Sequence, residues 1–145
     1  MFFFLQLPKL PLPALQRLDI SDNRLTDIHP SSAEKTQQLR HLDISRNSFA
    51  RLPAGCWPYL PYLKTLDVAW NPTRVLTKES FHGLDRLQTL VVQHLPDLKR
   101  FDADSLAQLK VIDLPSQKLI LYFIHMNLAH LVADQVYCLV IMAGM

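Results

Sequence analysis

Apolar residues recur along this chain on a fixed beat. LQRLDISDN starts at Leu15, LRHLDISRN at Leu39, LKTLDVAWN at Leu63 and LQTLVVQHL at Leu87, so successive starts lie 24 residues apart. Within each copy, apolar side chains fall at positions one, four and six, as in Leu15, Leu18 and Ile20. Positions four and six alternate with polar residues, the period of a strand with one buried face. The pattern predicts one short strand per copy. Position nine is Asn in the first three copies: Asn23, Asn47 and Asn71. An amide at a turn can satisfy the backbone groups that irregular chain would otherwise bury unpaired, so these three predict a structural ladder.

The second half of each copy repeats as well. Leu52, Trp57 and Leu60 are echoed by Leu76, Phe81 and Leu84, then by Phe101, Leu106 and Leu109. These residues predict anchors that close a core opposite the strands. After Ile28 the first copy offers only Ala33 and Thr36 in those places. No single copy buries its apolar face alone, so the copies must stack.

The beat weakens toward the end. In the fourth copy Leu95 replaces the Asn, and Leu98 and Phe101 sit one residue later than their counterparts Phe49 and Leu52. That offset predicts a one-residue insertion near Pro96. A fifth copy starting at Leu109, with Ile112, Leu114 and Gln117, fits only at a spacing of 22 and conflicts with Leu109 as an anchor. The organisation expected is therefore a partial preceding repeat or extension over 1–11, repeats over 12–118, and an apolar tail over 119–145. The tail carries Asn127, His130 and Asp134 on one helical stripe and Leu121, Ile124, Leu128 and Leu131 on another, which favours an amphipathic helix covering the end of the stack. A tail without fixed structure and a membrane segment remain open. Against the membrane segment, an Asp at the centre of a spanning helix costs on the order of 2.5–3.5 kcal/mol.

Outward positions on the strands define the candidate partner surface. Position three holds Arg17 and His41, followed by Thr65 and Thr89. Position five holds Asp19, Asp43 and Asp67. Position seven is also expected to face outward and holds Ser21, Ser45, Ala69 and Gln93. Position eight holds Asp22, Arg46, Trp70 and His94. Parallel strands lie about 4.8 Å apart, so the stacked Asp residues repel unless something offsets them. They read either as an acidic stripe for a basic partner or as a solvated consequence of duplication. Trp70 reads either as an interface anchor or as a cover over its neighbours Arg46 and His94.

Composition narrows the function. The 145 residues are 49% hydrophobic with a net charge of +2, and no run of one sign gives a nucleic-acid footprint. Gly is scarce (3) beside Pro (10), so turns are expected to rest on Pro, Asn and Asp. Cys56 and Cys138 match no metal spacing or disulfide framework. No nucleophile–base pair, phosphate loop or metal cluster recurs, so neither an enzyme nor a cofactor is expected. The opening MFFFLQLPKLPLPAL has no early basic residue and is broken by Pro8, Pro11 and Pro13, which favours repeat sequence over a secretory signal.

The segments LDISDNRL, LDISRNSF and LDVAWNPTRVLTKESFHGLDRLQTL resemble the 24-residue typical leucine-rich repeats of animal receptors and adhesion proteins, such as chaoptin-, connectin- and Toll-like ectodomains. The resemblance covers residues 12 to about 110. It implies an α/β solenoid, a short horseshoe arc with parallel strands on the concave face and irregular, 3-10 or short helical chain on the convex side. It also implies a protein partner on that concave face, placement outside the cell or at its surface, and membrane association only through a parent protein of which this chain is a fragment. Cys-rich caps, usual in such ectodomains, are not seen here. An intracellular scaffold or regulatory subunit in the cytoplasm is the alternative.

Overall fold

The computed structural model describes residues 11–102 and the strand Ile120–Tyr122. Each copy of the repeat contributes a three-residue strand. In chain order the elements are β1 (Arg17–Asp19), the one-turn helix α1 (Pro30–Ala33), β2 (His41–Asp43), a 3-10 segment over Ala54–Tyr59, and β3 (Thr65–Asp67). There follow β4 (Val75–Leu76), a 3-10 turn over Lys78–Phe81, β5 (Thr89–Val91), β6 (Arg100–Phe101) and β7 (Ile120–Tyr122). The main sheet is wholly parallel, in the order β1-β2-β3-β5-β7. Its register is the sequence period: Leu18 faces Leu42, Leu42 faces Leu66, and Leu66 faces Leu90.

Up to Asp102 the period shifts once among the described residues. β4 and β6 form a second, two-stranded parallel sheet in which Val75 pairs with Arg100 and Leu76 with Phe101, an offset of 25 rather than 24. Because β3 and β5 are still offset by 24, the extra residue lies between Val91 and Arg100.

The core fills the space between the main sheet and the opposite side of the stack. Leu42, Ile44, Leu66, Val68, Leu90 and Val92 enter it from the strands and the turns after them. Leu52, Trp57, Leu60, Leu76, Phe81 and Leu84 enter it from the other side. Trp57 is fully buried, and its indole Nε1–H donates to the Ser80 carbonyl of the next repeat at 2.8 Å. The 3-10 segments suit chain that must turn quickly with Pro58 inside it, where an α-helix would need the missing amide. Gly83 follows, at φ +95°, and a Cβ there would meet the Pro58 backbone nitrogen at 3.2 Å. Both the backbone angle and the close approach favour Gly here, because any other side chain would strain the turn and press on the Pro58 backbone.

The first repeat solves the same packing problem with smaller residues. Pro30 starts α1, where its lack of an amide costs nothing, and the His29 imidazole accepts from the Ser31 amide. Ala33 and Thr36 are buried, yet they fill less space than Trp57 and Leu60 do. A cavity of about 20 Å³ remains among Ile28, Ala33, Thr36, Cys56, Trp57 and Leu60. The Cys56 thiol donates to the Ile28 carbonyl at 3.1 Å, and burial first, then nearby Asp27, pushes its pKa up to about 12. In a Cys138→Ser background, Cys56 is therefore expected to stay unmodified by iodoacetamide in native buffer and to react once denaturant opens the stack. Rapid native labelling would show that this repeat opens on its own.

The tail differs from expectation in its first residues. Ile120–Tyr122 is a strand that continues the main sheet beside β5, with Ile120 opposite Thr89, rather than the beginning of a helix. The open edge of β5 presents a row of backbone groups that an extended segment can pair, and Ile and Tyr suit a strand. This strand comes 31 residues after β5, not at the shortened spacing implied by a fifth copy starting at Leu109. Leu109 itself and the helical stripe through Asn127, His130 and Asp134 lie outside the described residues.

Candidate functional site

The turn that leaves each strand positions the candidate site, and its hydrogen bonds explain which side chains are available. After β2, the Ile44 amide donates to the Asp67 carbonyl of the next strand at 2.9 Å. The Ser45 amide turns back to the Asp43 carboxylate, also at 2.9 Å. The Arg46 amide reaches across to the Ala69 carbonyl, again at 2.9 Å. The same sequence of contacts serves Ile20, Ser21 and Asp22, with Ser21 on Asp19 at 3.0 Å. It also serves Val68, Ala69 and Trp70, with Ala69 on Asp67 at 2.9 Å.

The Asp column therefore has a structural assignment that its period did not reveal. One oxygen each of Asp19, Asp43 and Asp67 holds the amide two residues on, a local turn that short carboxylates favour. Asp19 sits at the exposed end, and the Ser21 hydroxyl, at 2.6 Å, and the Ser21 amide lower its pKa. Asp67 sits deeper, and burial raises its pKa against the opposing Ala69 amide, with Asp43 and Asp19 adding to the rise.

The sign of that shift gives a test. A raised folded pKa means ionisation works against the fold, a burden absent below the unfolded carboxyl value and complete above the folded one. Asp67→Asn keeps an acceptor for the Ala69 amide and removes the charge. The variant is expected to melt above the parent at pH 7, and the difference is expected to shrink as pH falls to about 4. A difference that does not change with pH would point to packing instead.

The Asn residues occupy the inside of the same turn. Asn47 Nδ2 donates to the carbonyls of Ile20 (2.9 Å), Ile44 (3.1 Å) and Ser45 (3.1 Å), while its oxygen accepts from the Leu25 amide at 3.0 Å. Asn71 repeats the set with Ile44, Val68, Ala69 and the Phe49 amide. Among the described residues, Asn23 bonds within its own repeat, to the carbonyls of Ile20 and Ser21.

Position seven departs from expectation. Ser45 and Ala69 are buried rather than outward, because the Asp–amide contact bends the chain toward the core. Gln93 in the fourth copy is half-buried, and its carbonyl accepts from the Trp70 amide at 3.0 Å.

Position eight is where the structure brings candidate residues together. Asp22, Arg46, Trp70 and His94 all have left-handed backbones, with φ between 52° and 57°. For residues with a Cβ this conformation is disfavoured by roughly 1–2 kcal/mol, and for a bulky residue it is a true outlier. The shared geometry sets the four side chains in a file across the repeats. Arg46 approaches Asp22 at 3.7 Å, and its guanidinium carbon lies 5.9 Å from the Trp70 ring. The Trp70 and His94 rings stack with centroids 3.9 Å apart and planes 7° from parallel. Trp70 remains 48% exposed. None of the four is the Gly or Asn usually found in a left-handed turn. Asp22 and His94 are types that tolerate it, but Arg46 and Trp70 do not announce it.

Two further groups flank this file. Arg17 and His41, at the leading ends of β1 and β2, are joined by Arg40 and Lys64, which the alternation of the strands did not single out. Just before the leading ends of β3 and β5, Arg86 lies over the exposed Tyr62 ring at 5.0 Å. Among the described residues, no three His, Cys, Asp or Glu side chains are grouped to hold a metal ion, and no helix is long and apolar enough to cross a membrane.

Leucine-rich repeat sequences match this chain over residues 13–73 and 37–98, more than half its length. The chain belongs to the leucine-rich repeat family. Its relatives include mouse (Mus musculus) podocan-like protein 1, 34% identical over 73% of this chain and 20% of that protein. Mouse transforming growth factor beta activator LRRC32 is 38% identical over 60% of this chain and 13% of its own length. Toll-like receptor 3 of Bos taurus is 32% identical over 53% of this chain and 9% of its own. The match thus spans no more than a fifth of each of these proteins.

Proposed function

We propose that this chain is a protein-interaction module of a cell-surface or extracellular receptor or adhesion protein, with its partner seated on the strand side around Trp70. The repeats are read as a short solenoid arc whose concave face carries the strands. The observation that carries the proposal is Trp70 itself, a large aromatic held half exposed in a left-handed turn that Gly or Asn would adopt with less strain. Flanking Arg46 and stacked His94 restrict its ring, so little side-chain entropy remains to be lost on binding. Aromatics set beside Arg are the residues that dominate protein interfaces. Asp22, Arg46, Gln93 and His94 lie along the same file or turn as adaptable polar contacts, Arg17 and His41 extend the surface at the leading ends of their strands, and Asp19, Asp43 and Asp67 contribute negative potential from the turns. That relatives include a protein named as a receptor and one named as an activator supports an interaction role.

The test pairs the parent chain with Trp70→Ala as baits on cell-surface extracts. A partner held by the parent is expected to lose more than about 1 kcal/mol of affinity to the variant. The melting temperature is expected to change little, since lost stacking is offset by a smaller side chain at the strained turn. Equal retention of every partner by both baits would remove Trp70 from the interface.

A further inference from the structure

The leading end of the strand side carries a charge arrangement distinct from the Trp70 file. Arg17, Arg40 and Lys64 come from three successive repeats. The Arg40 amide donates to the Gln16 carbonyl and the Lys64 amide to the Arg40 carbonyl, each at 2.8 Å, so their backbones are direct neighbours across the sheet. His41 lies between Arg17 and Thr65 in the strand register. Arg17 and Arg40 are exposed, and Lys64 and His41 are half-buried. Among the described residues none of the three cations forms an ion pair. The column of carboxylates on these strands, Asp19, Asp43 and Asp67, is two to three residues further along and turned to the amides of Ser21, Ser45 and Ala69.

We propose that Arg17, Arg40 and Lys64, gathered about His41, receive an acidic segment of the protein partner. This deepens the interaction reading above and rests on it for the nature of the partner. Like charges brought together without counter-charges repel one another, and a run of carboxylates on a partner relieves that repulsion while setting its register on the strands. A polypeptide fits better than a uniform polyanion, because the Asp column beside the cations repels a chain charged along its whole width. An acidic segment lying along the leading margin avoids it.

His41 supplies a second readout. Burial first, then the positive charges of Arg17, Lys64 and Arg40, lower its pKa, so the free site holds a neutral imidazole at neutral pH. A carboxylate placed among these cations favours the charged imidazole and raises that pKa. Binding therefore takes up a proton between the free and bound values, and affinity rises as pH falls.

The experiment titrates the full chain with a hexaglutamate peptide blocked at both ends, followed calorimetrically at pH 7.5 and pH 6 at low salt. Binding is expected, and it is expected to be tighter at pH 6. The Arg17→Gln, Arg40→Gln, Lys64→Gln triple variant is expected to weaken it by about tenfold or more. Arg51→Gln with Arg74→Gln, on the far flank, is expected to change it by less than about twofold. His41→Gln is expected to abolish the pH dependence, and Trp70→Ala to leave peptide binding intact. That last result separates this site from the Trp70 interface, whose failure would appear only with the whole partner. Absence of peptide binding, equal weakening by the two charge variants, or binding of a heparin oligosaccharide in place of the peptide would each overturn the proposal. None of these residues lies in the core, and circular dichroism melts confirm that each variant is folded before it is counted.

Discussion

Replacing Trp57 by Ala is expected to destabilise the chain by about 3–5 kcal/mol, the range for removing a fully buried aromatic. Three effects combine. The side chain is wholly out of water. It lines an underfilled part of the core, next to Ala33 and Thr36, so the new void merges with an existing one of about 20 Å³. Its indole N–H also satisfies the Ser80 carbonyl at 2.8 Å, and thus ties one repeat to the next. Trp57→Phe isolates that third effect: most of the ring volume stays, the hydrogen bond goes, and a loss of about 1–2 kcal/mol is expected. Urea denaturation of the three proteins measures both steps. An Ala variant within about 1 kcal/mol of the parent would mean that the stack collapses around the gap, and that the anchor side is softer than its packing indicates.

Replacing Asn71 by Ala comes next, with an expected loss of about 2–4 kcal/mol. The amide is 1% exposed and serves four backbone groups, in its own repeat and in the one before it. Ala removes every partner at once while the carbonyls of Ile44, Val68 and Ala69 and the amide of Phe49 stay in a region closed to water. Asn23→Ala is the internal comparison. Asn23 is only partly buried and bonds two carbonyls of its own repeat, so about 1 kcal/mol or less is expected there. The ratio of the two losses reports how much each amide contributes between repeats rather than within one. Equal losses would show that the cross-repeat bonds to Ile44 and Phe49 add nothing.

These two residues illustrate different degrees of legibility. Asn71 is readable because its position recurs: a polar residue at fixed distance after three apolar ones has few uses other than closing a turn. Trp57 is readable as an anchor by spacing from Leu52 and Leu60, but its bond to Ser80 is not, since the partner lies in another repeat and is a backbone atom. Asp43 and Asp67 show the limit more sharply. Their column reads as free negative charge, yet one oxygen of each is engaged by the amide two residues on. The same bond turns Ser45 and Ala69 inward, against a simple alternation of outward and inward positions. Arg40 and Lys64 escape pattern reading because they precede their strands, where alternation says nothing about exposure.

What the chain encodes locally is the beat. Leu, Ile and Asn at fixed spacing over 24 residues determine parallel strands in one register, and the apolar side of each, because every copy faces the same demand to bury its core against the next. Tertiary structure alone decided the rest. The left-handed turn at Asp22, Arg46 and Trp70 comes with the Asp contact and the cross-repeat amide bond, and His94 takes the same backbone with Val91 and Leu95 in place of the Asp and Asn. The stack of Trp70 on His94 follows from that shared geometry across two repeats. Pairing of Ile120–Tyr122 with β5 is likewise decided by an open sheet edge rather than by the period, which that segment does not keep. Local spacing specifies what each repeat must bury; contacts between repeats determine which of the remaining side chains meet at the surface.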